Sequence, residues 1–261
     1  QRDDQRKILL RIVVIEAAAA NLGSMATPIG NPQNLYLYST YSFSLGTFFK
    51  TILPIVGISY IGLLFSLLLI PQQPLAAEIP TESHLPLSAQ KKNLIIYSIL
   101  GVVCLATVAG LVTHVVCFCV VLLGMIVTDR ALIRRVDWEL LLTFVCFFLF
   151  SGNLQQIESV RNLMMQGLSG GVCLTAALVS QVISNVPAAV LLSGFTEQGK
   201  ELLLGVDIGG LGTPIASLAS LIAYQYYAKS KLANPAKYLQ FFFIYQFIGL
   251  FLLLAIKFIM L

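Results

Sequence analysis

Four stretches of this chain, 51–77, 93–128, 140–157 and 238–256, contain no charged residue. Each matches or exceeds the roughly 18 to 20 residues that carry a helix across the hydrocarbon core of a bilayer. Inside lipid every backbone N–H and C=O must find its partner within the protein, so such stretches fold as helices. A chain of 261 residues that is 57% hydrophobic and 11% charged also lacks the polar surface to cover a soluble globule of its size. The expected fold class is therefore all-α and polytopic, with the lipid bilayer as its first partner. The charged opening 1–7 leads through an apolar segment into a Gly/Pro-rich motif without cleavage context, so these residues are not expected to act as a cleavable signal peptide.

Spans are expected near 8–41 (interrupted), 48–70, 93–112, 115–128, 140–157, 202–228 (interrupted) and 238–261. The connection 71–92, rich in Pro, Gln and Ser and containing His84, reads as a linker. Lys and Arg cluster between spans. Placing Arg2, Arg6, Lys7, Lys91, Lys92, Arg130, Arg134, Arg135, Lys229, Lys231 and Lys237 in the cytoplasm gives strict alternation, apart from one segment around Ser184. That segment enters and leaves on one side, and its arms of about 12 and 9 residues are too short to cross, so a re-entrant hairpin at about 168–197 is expected. Membrane orientation accounts for the net charge of +4 without a nucleic-acid partner. The five cysteines sit in apolar runs as small buried hydrophobes, and His114 beside Cys117 and Cys119 lacks the fourth ligand of a zinc site.

A shift of 186 positions lays NLGSMATPIG, beginning at Asn21, over DIGGLGTPIA, beginning at Asp207. The identities are Gly23/Gly209, Thr27/Thr213, Pro28/Pro214 and Ile29/Ile215. The same shift carries the last span onto 52–75. Because the charge-derived topology runs the copies in opposite directions, an inverted-topology repeat is expected. Residues 1–70 would be the back end of a first repeat, truncated by roughly a hundred residues or more, and 93–261 a complete second one. The second repeat would comprise scaffold helices at 93–157, the hairpin, the broken helix 202–228 and the last span.

Gly23, Pro28, Gly30 and Pro32 fall together in one apolar span, and Gly209, Gly210, Gly212 and Pro214 in another. Such density breaks a helix. Unwound backbone at bilayer depth is tolerated where it lines a polar cavity, and its freed carbonyls and half-helix ends suit an ion or an anionic group. Asn21, Thr27, Asn31, Gln33 and Asn34 add polar side chains to the first break, and Thr213 to the second. Ser184 and Asn185, at the hairpin turn, either cap a helix N-terminus or face a ligand. Of two intramembrane acids, Asp207 is the candidate for coupling: it could bind Na+ with the carbonyls of 209–212, exchange a proton, or simply cap a half-helix. Glu16, only a few turns from the cytoplasmic end, is the weaker candidate.

These motifs, TPIGNPQN at 27–34, SNVP at 184–187 and GGLGTPIASLAS at 209–220, resemble those of the ion transporter superfamily that includes citrate and dicarboxylate transporters, arsenite permeases and some sodium/proton antiporters. The resemblance covers nearly the whole chain. It implies a mobile transport unit, made of the broken helices and the hairpin, working against a scaffold in an elevator-like alternating-access cycle. It also selects Ser184 and Asn185 as contacts for substrate carboxylate and sodium; taken with the carboxylate and unwound backbone of the second break, a coupling Na+ would sit at Asn185, Asp207 and Gly209. Val186 stands where dicarboxylate symporters of the superfamily carry Thr, which points toward the citrate/arsenite-like branch.

The sequence carries no HExxH, GxSxG or GxxxxGK[ST], so an enzyme or an ATP-driven pump is not expected. The expected function is secondary active transport of a small anion, citrate/dicarboxylate or arsenite-like, coupled to Na+ or H+ across the inner (plasma) membrane. No cofactor is expected beyond a coupling Na+, and a homodimer is left open. A sodium/proton antiporter and a passive channel are the alternatives.

Overall fold

A computed structural model describes residues 2–70, 87–128 and 130–260, which fall into two compact units, Gln1–Pro74 with Val145–Leu261, and Leu75–Phe144. Every regular element among the described residues is helical. The protein is an all-α polytopic membrane protein. Among the described residues, three helices are long and apolar enough to cross a bilayer, Leu45–Leu69, Trp138–Gln156 and Pro235–Ile259, and Asn93–Val108, His114–Thr128 and Val172–Ile183 are shorter apolar helices. Large apolar side chains such as Leu68, Ile61, Ile248 and Phe251 stand exposed on these helices, as lipid-facing surfaces require.

In the first unit, α1 (Arg2–Ser24) begins with Asp3 and Asp4 in its first turn, where the helix dipole favours negative charge, and runs on through an alanine-rich stretch. It ends at an irregular segment, 25–31, after which α2 (Pro32–Thr40) restarts with Asn31 as N-cap and proline at its first position. The helix α3 (Leu45–Ser66), capped by Ser44, buries Phe48, Ile52, Ile55 and Ser59 along one stripe. The interrupted first span of the sequence is thus two helices separated by a turn.

The second unit holds α4 (Leu87–Val108) and α5 (His114–Thr128), packed so closely that a Cβ at Gly124 would lie 2.9 Å from a Leu100 methyl. Gly110, at φ +78°, makes the turn between them. The linker expected over 71–92 lies outside the described residues through position 86, and its last part, from Leu87, is already helical. His84 likewise falls outside them, and His114 is the exposed first residue of α5. A short basic helix, α6 (Ala131–Arg135), precedes α7 (Trp138–Gln156).

The chain next forms α8 (Glu158–Ser169), which sequence reasoning did not anticipate; Met164 and Leu168 pack on the core while Leu163 and Met165 are exposed. Two short helices follow, α9 (Val172–Ile183) and α10 (Asn185–Ser193), packed on each other and joined at Ser184. The second interrupted span is α11 (Gly199–Ile208), an unwound stretch with one 3-10 turn (Pro214–Ala216), and α12 (Leu218–Ala228). The last helix is α13 (Pro235–Met260). The main apolar core gathers Met25, Leu37, Phe48, Ala176, Leu192, Leu203 and Val206, so α11 sits among α9, α10 and α2 rather than at the lipid face.

Candidate functional site

The two helix breaks meet inside the first unit. Asp207, one residue before the end of α11, is 3% exposed. Its Oδ1 accepts from Asn31 Nδ2 and Gln33 Nε2, each at 3.3 Å, and its Oδ2 has no hydrogen-bond partner. The acid of the second break is therefore held by amides of the first. Asn31 does two jobs, since its Oδ1 also caps α2 by accepting from Asn34 N at 2.9 Å. Asn34, fully buried, donates through Nδ2 to the carbonyls of Met25 (3.2 Å) and Thr27 (3.3 Å). Those two bonds fix the amide's orientation and leave Asn34 Oδ1 buried without a donor.

The reverse contact comes from α1. Asn21, 8% exposed, donates to the Gly210 carbonyl and to Ser220 Oγ, both at 3.2 Å. Ser217 caps α12 by accepting from Ser220 N. At the 186-residue offset Asn21 corresponds to Asp207, Asn31 to Ser217 and Asn34 to Ser220. Each helix entering a break thus reaches across to the half-helix leaving the other one.

Beside the second break stands the turn joining α9 to α10. Ser184 occupies φ +74°, a region a non-glycine residue adopts at a cost of about 1–3 kcal/mol, and it is held by backbone bonds on both sides. Its hydroxyl does not cap α10 and instead donates to the Ala216 carbonyl at 3.4 Å. Asn185 is buried, and its Nδ2 lies 3.1 Å from where a Cβ on Gly210 would stand. Asn21, Asn185, Gly210 and Ser220 form one polar group, and Asp207, Asn31, Gln33 and Asn34 the other.

Seven residues singled out in the sequence do not contribute side-chain polarity to these groups. Gly23 is exposed, with nothing within 4 Å of an added Cβ. Gly30 makes the tight first turn, where a Cβ would lie 1.8 Å from the Ser24 carbonyl oxygen. Thr27 is exposed and enters through its carbonyl, and Thr213 caps the 3-10 turn by accepting from Ala216 N. Gly209 and Gly212 are buried backbone of the second break. Glu16 is exposed on α1 and makes none of these contacts.

The residue that sequence reasoning missed is Gln181 on α9. Its Nε2 donates to the Gly209 carbonyl (2.8 Å) and the Leu211 carbonyl (2.9 Å), and its Oε1 accepts from Thr213 N (2.8 Å). Thr213 Oγ1 also donates to the Gln181 carbonyl. One side chain thereby satisfies the backbone freed by the helix break, the demand that burial in a membrane protein makes most acutely. Gln33 and Ser220 gain importance in the same way. Their sequence signal was membership of the two motifs, 27–34 and 209–220, which does not say what either side chain contacts.

Buried amides, one carboxylate and two breaks make a site that can present charge-complementary groups to an ion or a polar solute within a membrane. The chain belongs to the citrate transporter family, whose family model, described as "Citrate transporter", matches residues 3–197. Curated relatives agree with that membership. The chain is similar to Inner membrane protein YbiR of Escherichia coli (strain K12), 32% identical over 222 residues covering 82% of this chain and 57% of the relative. It is similar also to Uncharacterized transporter MJ0456 of Methanocaldococcus jannaschii, 32% identical over 216 residues, 83% of this chain and 58% of the relative. The chain thus spans less than two thirds of the length of these relatives. No solved structure matches the chain significantly.

Proposed function

We propose that the protein is a secondary active transporter that moves a small anion, citrate/dicarboxylate or arsenite-like, together with Na+ or H+. The observation that carries this reading is the reciprocal contact of the two breaks, with Asp207 held by Asn31 and Gln33 and Asn21 held on Gly210 and Ser220. In this reading the anion meets Asn185, Ser184 and the amides of the first break, and Asp207 takes the coupling ion. The breaks are the two halves of an inverted-topology repeat, 1–70 and 93–261 joined by the linker, and the hairpin at 168–197 is re-entrant. The breaks and hairpin move against scaffold helices at 93–157 in an elevator-like cycle, in a multi-pass protein of the inner membrane that assembles as a homodimer.

Gln181, Asn34 and Asn21 pair six backbone groups at the breaks, so the irregular segments are held by side chains while the site keeps an acid and several amides for a ligand. A sodium/proton antiporter is the second reading, favoured by the buried carboxylate of Asp207 with one oxygen unpartnered. The deciding experiment is uptake by the full-length protein in proteoliposomes, offered citrate, C4 dicarboxylates and arsenite under imposed Na+ or H+ gradients. Gradient-driven uptake of one anion is the expected result. Cation exchange without anion uptake would replace it by the antiporter reading, and currents far above transporter turnover would indicate a channel.

A further inference from the structure

Two polar grooves meet at Arg161 of α8. The larger, about 590 Å³, runs between Gln155 and Gln156 at the end of α7 and Glu158, Arg161 and Asn162 of α8. The smaller, about 270 Å³, leads from Arg161 to the segment 194–197 after α10, where Glu197 stands on its wall. Each groove therefore holds one guanidinium and one carboxylate. Residues three apart on a helix, as Glu158 and Arg161 are, lie within reach of each other, and Glu197 shares a groove with the same guanidinium. Yet among the described residues Arg161, Glu158 and Glu197 make no ion pair, and all three side chains are exposed. Both signs of charge are open to an incoming group.

The depth of the grooves says what that group is. Trp138–Gln156 is long and apolar enough to cross a bilayer, and its last two residues form one wall, so the larger groove opens where hydrocarbon gives way to headgroups. The helix α8 suits that level: Met164 and Leu168 pack on the core, while Leu163 and Met165, with Ile157 just before the helix, are exposed apolar groups beside the grooves. The α7 wall is fixed in place, because Gln155 Nε2 donates to the carbonyls of Val190 (3.0 Å) and Leu191 (3.2 Å) in α10.

We infer that the grooves around Arg161 seat a zwitterionic phospholipid of the phosphatidylethanolamine type, its phosphate on Arg161 and its primary ammonium on Glu158 or Glu197, according to the groove. A guanidinium presents a planar fork of donors that matches a phosphate. A primary ammonium donates N–H groups to a carboxylate, and such charge-assisted bonds are the strong ones. Choline carries no N–H to donate, and a purely anionic headgroup brings its charge to both acids with nothing to offer them. The acyl chains then lie along Ile157, Leu163 and Met165. This site is independent of the solute transported.

Full-length protein in detergent, titrated with phosphatidylethanolamine, phosphatidylcholine and phosphatidylglycerol of one acyl composition, tests the assignment by native mass spectrometry of the retained lipid. Phosphatidylethanolamine should bind about tenfold more tightly than either of the others. Arg161→Gln should lower its affinity by about the same factor. Glu158→Gln combined with Glu197→Gln should make phosphatidylethanolamine and phosphatidylcholine equal; both positions are exposed, so the fold is kept, as an unchanged thermal midpoint would verify. Equal retention of the two zwitterions by the unmodified protein, tightest binding of phosphatidylglycerol, or a preference that survives both sets of substitutions would overturn the site. Glycerophosphoethanolamine without acyl chains should compete only weakly, and competition as strong as the lipid's would overturn the lipid as occupant.

Discussion

The two helix breaks share a sequence pattern but not an environment. In the first, Thr27, Ile29 and Gly30 are exposed, and the segment is held from within its own half-helix, by Asn34 reaching back to the carbonyls of Met25 and Thr27. In the second, 209–212 is buried, and the clamp is Gln181 on a different element, α9. The 3.6-residue period and the Gly/Pro density that announce a break are local, whereas the partners of its freed carbonyls are not. Similar motifs can therefore be stabilised by unrelated side chains.

Substitutions at the glycines offer the sharpest way to break that comparison, and the largest effect belongs to the first break. Gly30→Ala places a Cβ 1.8 Å from the Ser24 carbonyl oxygen, a backbone atom that cannot turn aside. A loss of about 4 kcal/mol is expected, read as a lowered thermal midpoint of purified protein. Gly212→Ala is the counterpart, with φ at +108° and a Cβ 2.2 Å from Gln181 Oε1. There the obstacle is a side chain. Adding Gln181→Ala should recover part of the Gly212→Ala loss, a coupling of about 1 kcal/mol in a double-mutant cycle. If the pair is additive, Gln181 does not clamp the second break, and the two breaks no longer differ in what holds them.

Much of the fold was legible because it depends on composition and period. The apolar stretches fixed the helical class, and the glycine and proline clusters marked the interruptions at 25–31 and 209–217. The N-caps Asn31 and Ser217 fall at the same offset that aligned the motifs. Less of the site was legible. Asp207 was singled out as an intramembrane acid, but its partners Asn31 and Gln33 lie more than 170 positions away, and no spacing rule links them. Gln181 sits in an apolar helix with no motif around it, and α8 carries too few apolar residues to announce itself as a span. Sequence reveals what each segment needs, and packing decides who supplies it.

Asp207→Asn addresses the chemical difference between the copies, since Asn21 occupies the equivalent place in the first. The substituted amide keeps one oxygen for Asn31 and Gln33, so stability should change by only about 1 kcal/mol. Function should change more selectively. If Asp207 takes the coupling ion, the full-length variant will exchange anion across the membrane but no longer accumulate it along a Na+ or H+ gradient. Unchanged gradient dependence would reduce Asp207 to a structural acceptor and make the breaks chemically alike.

The smallest effect is expected at Gly23, and its value lies in the contrast with Gly209, its identical partner in the alignment. Gly23 is the last residue but one of α1, exposed and with no atom within 4 Å of an added Cβ. Gly209 is pressed between neighbours, with a Cβ there 2.7 Å from both the Ala177 Cα and the Gly205 carbonyl oxygen. Alanine near a helix end gains a little backbone entropy, so Gly23→Ala should leave the thermal midpoint unchanged or slightly raised, within about 0.5 kcal/mol. Gly209→Ala, in the same assay, should lower it clearly because α9 and α11 cannot approach as closely. Identity in the repeat would then reflect the shared need to end a helix, with close packing imposed on one copy only. Equal losses at the two positions would mean that the open space at Gly23 is filled in the membrane, and that the first break is as tightly enclosed as the second.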